Sequence, residues 1–88
     1  MANIASQKKR IQRSARERSE NRLLTSTVKT YFRRLQSAVE GGDAEAIRAE
    51  HAALVSRIDK AVQKGAMHRN TGARKKSRAA RIVAAGRD

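Results

Sequence analysis

The chain has 88 residues, and 21 Lys and Arg against 8 Asp and Glu give it a formal net charge of +13. Ile, Leu, Val and Phe together number 15, and 16 further hydrophobic residues are Ala, so a core of enzyme size is excluded and the averages fall among chains that stay unfolded for want of apolar surface. There is no Cys, hence no disulfide framework, thiolate zinc site or redox motif, and the longest apolar runs, 52–55 and 82–85, are far short of a membrane span or a signal-peptide core.

Pro is absent and Ala abundant, so the chain reads as helix nearly throughout. A first helix is predicted over about residues 6–40. Its second half carries an apolar stripe, Leu24, Val28, Tyr31, Leu35 and Ala38, widened by Leu23, Phe32 and Val39. Its first half does not: between Lys8 and Arg22 only Ile11 and Ala15 are apolar, while Lys8, Lys9, Arg10, Arg13, Arg16, Arg18 and Arg22 point to all sides. A helix polar all round has nothing of its own chain to pack on. Residues 1–22 are therefore expected to form a basic arm that frays when free and is ordered by a partner.

Gly41-Gly42-Asp43 breaks this helix and offers Asp43 as N-cap of a second one over about 43–64, which Gly65 closes in a left-handed conformation. Ile47, Leu54, Ile58 and Ala61, flanked by Ala46, Val55 and Val62, form the face that pairs antiparallel with residues 23–39 across a narrow, Ala-rich seam. Asn70 is the expected cap of a third helix over about 70–85, stopped by Gly86, with Ala73, Ala80, Val83 and Ala84 on its packing side and Met67 and Ile82 nearby. The fold class is all-α: a three-helix bundle in one domain, residues 1–88, of modest core volume, with a long, basic, protruding first helix.

The charge is segregated. Residues 1–34 carry +8, residues 35–63 carry −2 and residues 64–88 carry +7, and Arg outnumbers Lys 14 to 7, a bias that suits bidentate contact with phosphate oxygens. Arg74-Lys75-Lys76-Ser77-Arg78, with Arg69 before it and Arg81 after, covers more than one helix face, and no carboxylate occurs between Asp59 and Asp88. A mixed-sign run reads as a solvated face, whereas one whose self-repulsion is uncompensated reads as the mate of a polyanion. Lys75-Lys76-Ser77 after Gly72 is not a phosphate-binding loop, because Lys75 and Asn70 stand where that motif needs glycine.

His68 lies in a basic turn where it can meet a phosphate or ribose, while His51 falls on the solvated side of the second helix. Neither His has a metal-ligand set or a triad partner, and the acidic residues are scattered singly. No catalysis, cofactor, metal or small-molecule substrate is expected, and Tyr31 and Phe32, inside the apolar stripe, are expected to be core rather than a base-stacking platform. Charge on every side of a long arm favours folded RNA, met at phosphates and 2′-hydroxyls, over sequence-specific DNA reading. The competing readings are a DNA-compacting protein and a membrane-active or partner-binding helix, the latter opposed by the missing bulky apolar face of residues 8–22.

Met1-Ala2-Asn3-Ile4 followed by Lys8-Lys9-Arg10, then Asn21, Ser26, Lys29-Thr30, the turn Gly42-Asp43, Ile58-Asp59-Lys60-Ala61 with Lys64-Gly65, and His68, Asn70 and Ala73-Arg74-Lys75-Lys76-Ser77-Arg78 stand in order along nearly the whole chain. This pattern closely resembles the S twenty family of bacterial small-subunit ribosomal proteins. The resemblance implies a three-helix bundle that is a structural constituent of the 30S subunit, binds 16S ribosomal RNA directly, chiefly in its 5′ domain, and supports RNA folding and subunit assembly. It implies a cytoplasmic location in the ribosome, no catalytic role, no cofactor, no membrane partner and no homo-oligomer. The residues expected to bind RNA are Lys8, Lys9, Arg10, Arg13, Arg16, Arg18, Arg22, Lys29, Arg33, Arg34, Lys60, Lys64, His68, Arg69, Asn70, Arg74, Lys75, Lys76, Arg78 and Arg81. Departures from the family pattern are Ala5, Ala66-Met67, Thr71-Gly72 and Ala79; the last two weaken helix propensity and packing, so the third helix is expected to be less stable than in relatives.

Overall fold

The computed structural model describes residues 4–86, with side chains from residue 7 onward. The Met1-Ala2-Asn3 start of the expected arm lies outside the described residues. Three helices follow in order: α1 Ile4–Gly41, α2 Ala44–Gln63 and α3 Arg69–Ala85. No strand occurs among the described residues, so the all-α bundle with a long first helix stands as expected.

Two glycines reverse the chain. Gly42 has φ +74 and Gly65 φ +78, a region that a Cβ makes costly. At the first turn Asp43 caps α2, its carboxylate accepting the Glu45 N–H at 3.0 Å. At the second, the Ala66 N–H donates to the Ala61 carbonyl and the Gly65 N–H to the Val62 carbonyl, the bond pair of a Schellman helix end. The third boundary corrects the sequence reading. His68, not Asn70, caps α3: its Nδ1 accepts the Asn70 N–H at 3.1 Å, and the helix begins at Arg69. An imidazole nitrogen is as good an acceptor as a carboxamide oxygen here, although His is outside the usual N-cap set.

The core consists of Val28, Phe32 and Leu35 from α1, Leu54, Ile58 and Ala61 from α2, and Ala79 from α3. At 100° per residue the α1 members lie within about 60° of Leu35, and the half-buried Leu24, Tyr31 and Val39 within the same arc. Leu23 stands about 120° away and is 68% exposed, so it does not widen the stripe. The α1·α2 seam is filled by large side chains, and Ala61 is its one buried alanine. It is not Ala-rich.

On α3 the packing side is also displaced from the expected one. Gly72 and Ala79 are buried and Ile82 and Val83 half-buried, whereas Ala73, Ala80 and Ala84 are exposed, standing about 100–140° from Ala79 around the axis. Alanine carries too little transfer energy to set the helix's rotation; Ile82, Val83 and the closeness of approach set it instead. A Cβ on Gly72 would meet Val62 Cγ2 at 2.5 Å, and one on Gly86 would collide with Val39 Cγ1. Gly72 and Ala79, expected to weaken packing, are therefore the contact through which α3 seats. In a solvated helix Gly→Ala gains about 1 kcal/mol, but Val62 is held to one rotamer on its own helix and overpacking costs about 1–3 kcal/mol. Gly72→Ala is expected to lower the melting temperature by roughly 5 °C, with Val62→Ala in the same chain restoring it; a rise in the single variant, read by circular dichroism, would show the contact to be slack.

The molecule measures 67 × 21 × 13 Å. At 1.5 Å per residue α1 spans about 57 Å, far longer than the 20 residues of α2 can cover. Residues 7–20 are exposed without exception, and Asn21 is the first to be half-buried. The arm is thus a continuation of the α1 rod past the end of the bundle.

Candidate nucleic-acid interface

Lys8, Lys9, Arg10, Arg13, Arg16, Arg18 and Arg22 are all exposed, as helical geometry with no packing partner requires. They are not equivalent. Arg18, Arg22 and Lys29, spaced i, i+4 and i+11, share one face of α1. The arm's two carboxylates lie elsewhere: Glu17 and Glu20, with Asn21, Leu23 and Leu24, line a groove of about 530 Å³ with Lys60 and Lys64 of α2. Where the arm leaves the bundle, those two lysines therefore have carboxylates in their groove; Arg13 and Arg16 have Glu17 and Glu20 one turn on, while the outermost Lys8, Lys9 and Arg10 have none within a turn.

Further cations are engaged within the protein. Arg34 Nη2 meets Glu50 Oε1 at 2.9 Å, with its guanidinium carbon 4.8 Å from the centre of the Tyr31 ring. Arg57, absent from the sequence-based set, lies 5.2 Å from the same ring. Its cross-helix position relative to Tyr31 could not be read from spacing along either helix. Lys76 Nζ meets Asp59 Oδ1 at 2.6 Å. The basic run of α3 is therefore not wholly uncompensated; its counter-charge comes from α2, across the turn, where a scan along the run does not look.

The rest of α3 presents charge outward. Arg69, Asn70, Arg74, Arg78 and Arg81 are exposed and Lys75 half-buried. Lys75 Nζ and the Arg78 guanidinium carbon lie 5.8 and 5.2 Å from the centre of the Phe32 ring, so the only phenylalanine both fills the core, at 7% exposed, and props two cations above it. Tyr31 is half-buried against the core cluster. His51 is half-buried as well, and not on the solvated side. Lys29, His68 and Lys75 come together, lining one groove between α1 and α3; Arg33 is exposed next to Phe32. The expected set thus divides into outward cations, the ion-paired Arg34 and Lys76, and the exposed Lys60 and Lys64, which share a groove with Glu17 and Glu20.

Among the described residues no cluster of His, Asp or Glu can hold a metal ion, and no helix is long and apolar enough to cross a membrane. The arrangement offers dispersed cations on a long helical arm and a short bundle, with chemistry suited to gripping anionic oxygens.

The family model for ribosomal protein S20 matches residues 2–84. The small ribosomal subunit protein bS20 of Acaryochloris marina (strain MBIC 11017) is 46% identical over 92 residues, covering 97% of this chain and 98% of the relative. That of Koribacter versatilis (strain Ellin345) is 44% identical over 85 residues, with 96% of each chain covered. That of Kocuria rhizophila is 44% identical over 84 residues, covering 96% of this chain and 98% of the relative.

Proposed function

The chain belongs to the ribosomal protein S20 family, and on that premise we propose that it is a structural, non-catalytic constituent of the cytoplasmic small ribosomal subunit. As one RNA-binding domain it contacts 16S ribosomal RNA directly, mainly in the 5′ domain, and supports RNA folding and subunit assembly. The observation that carries this reading is the pair of basic surfaces, the outer arm and the outward side of α3, drawn from opposite ends of the chain. Two such surfaces grip several RNA helices at once and lower the cost of bringing their phosphates together.

The structure supports an order among the RNA-binding residues. Lys8, Lys9, Arg10, Arg13, Arg16, Arg18, Arg22, Lys29, Arg33, Arg69, Arg74, Lys75, Arg78 and Arg81 are the main phosphate ligands, with His68 and Asn70 as polar contacts. Arg34, Lys60, Lys64 and Lys76, each beside a carboxylate, contribute less.

Competition at matched salt between duplex DNA and a 16S 5′-domain fragment tests the proposal. The protein is expected to stay on the RNA and to co-sediment with small subunits in a salt gradient. A preference for the DNA would overturn the reading in favour of a compaction protein.

A further inference from the structure

Between α1 and α3, at the end of the bundle from which the arm departs, Thr25 and Lys29 line a groove of about 340 Å³ together with Met67, His68, Thr71 and Lys75. The two helices run parallel, so residues 46 positions apart in the chain, Lys29 and Lys75, border one depression. Its ionised side chains are these two lysines, and no carboxylate lines it. An anion is the matching occupant.

His68 adds a different kind of recognition. Its Nδ1 accepts the Asn70 N–H, and a ring nitrogen that accepts carries no proton. With Nδ1 accepting, the ring presents its N–H at Nε2, the opposite edge, where it is a donor. An imidazole N–H donor in a groove with two lysines suits a hydroxyl oxygen adjacent to a phosphate. The Thr71 hydroxyl, with no hydrogen-bond partner among the described residues, supplies both a donor and an acceptor. A ribose 2′-hydroxyl, itself donor and acceptor, satisfies the pair. The approach is marked too, because Arg18 and Arg22 share the α1 face of Lys29 and lead along the arm into the groove.

We infer that this groove seats one ribonucleotide of the bound RNA, its phosphate between Lys29 and Lys75 and its 2′-hydroxyl on the His68 imidazole and the Thr71 hydroxyl. This rests on the RNA-binding reading above and deepens it. Phosphate contacts position a protein on either nucleic acid, whereas a 2′-hydroxyl contact separates RNA from DNA.

The test uses the full chain and a 16S 5′-domain fragment carrying single 2′-deoxy substitutions at the nucleotides the protein protects. Binding is measured for the unaltered protein and for His68→Ser, which keeps an N-cap oxygen and removes the distal donor. One deoxy position is expected to weaken the unaltered protein about fivefold and His68→Ser clearly less, since the bond to His68 is already gone and only the one to Thr71 remains to be lost. Thr71→Val, which leaves the cap intact, is expected to show a partial loss at the same nucleotide and carries the comparison alone if His68→Ser unfolds. Equal losses at every position in all three proteins overturn the inference while leaving RNA binding in place. If the unaltered protein does not bind the fragment, it is the proposed function that fails.

Discussion

Raising the salt from 50 to 200 mM is expected to lower the affinity of this protein for a 16S 5′-domain fragment by roughly a thousand-fold or more. The effect follows from counterion release: each phosphate neutralised by a cation contributes nearly one unit to the slope of log affinity against log salt, and six to ten contacts correspond to about 10³–10⁵ over that range. The outer arm and α3 offer enough exposed cations for that count. Replacing Arg74, Lys75, Lys76 and Arg78 together by Ala then separates their roles. A run in which every cation meets a phosphate loses about four units of slope, but Lys76 is paired with Asp59 at 2.6 Å, so a loss of about three is expected. Tight binding with an unchanged slope would remove the run from the interface, with circular dichroism confirming that the helices persist. Lys60→Ala with Lys64→Ala is expected to change the slope less than any two outer-arm replacements, because Glu17 and Glu20 share their groove.

The largest effect on stability is expected from Leu54→Ala. Leu54 is 0% exposed and belongs to the one core cluster, and truncating such a leucine costs about 2–5 kcal/mol through lost transfer energy and the cavity left behind. Small domains have only about 5 kcal/mol in hand, so a loss near 3 kcal/mol lowers the melting temperature by roughly 15 °C and leaves a measurable unfolded fraction at 37 °C. Leu23→Ala is the internal control. At 68% exposed, Leu23 is expected to matter by less than about 0.5 kcal/mol. Thermal unfolding in which the two variants fall equally would contradict the placement of the core on the Leu24–Val39 arc.

Helix number and order were legible because their signals are local. Glycine pairs, the Asp43 cap and the 3.6-residue spacing of Val28, Leu35, Leu54 and Ile58 each act within a turn or two of their own position. What escaped depended on neighbours distant in sequence. The rotation of α3 is decided by how closely Gly72 approaches Val62 and Gly86 approaches Val39, and an alanine stripe such as Ala73, Ala80 and Ala84 has too little apolar area to announce or to enforce a face. The cap at His68 was missed because propensity favours Asn, although a ring nitrogen can do the same work.

The basic surfaces were legible as charge but not as geometry. Counting along the chain shows that Lys75, Lys76 and Arg78 have no acidic neighbour; it does not show that Asp59 reaches Lys76 across a turn, or that Phe32 carries Lys75 and Arg78 on its ring. The grouping of Lys29, His68 and Lys75 is likewise a product of two helices meeting side by side. Arg57 beside Tyr31 is the converse case, a cation whose environment gives no trace in its own segment.

The parallel meeting of α1 and α3 also has a consequence in time. Synthesis proceeds from the N-terminus, so the arm and the first wall of the α1·α3 groove emerge early, while the second wall, ending with Lys75, follows 46 residues later than Lys29. At about 5–20 residues per second a nascent chain spends several seconds with its basic arm made and the α1·α3 groove unbuilt. During that interval its charge attracts any polyanion; with the groove seating a ribonucleotide as proposed, only the finished chain can choose among them.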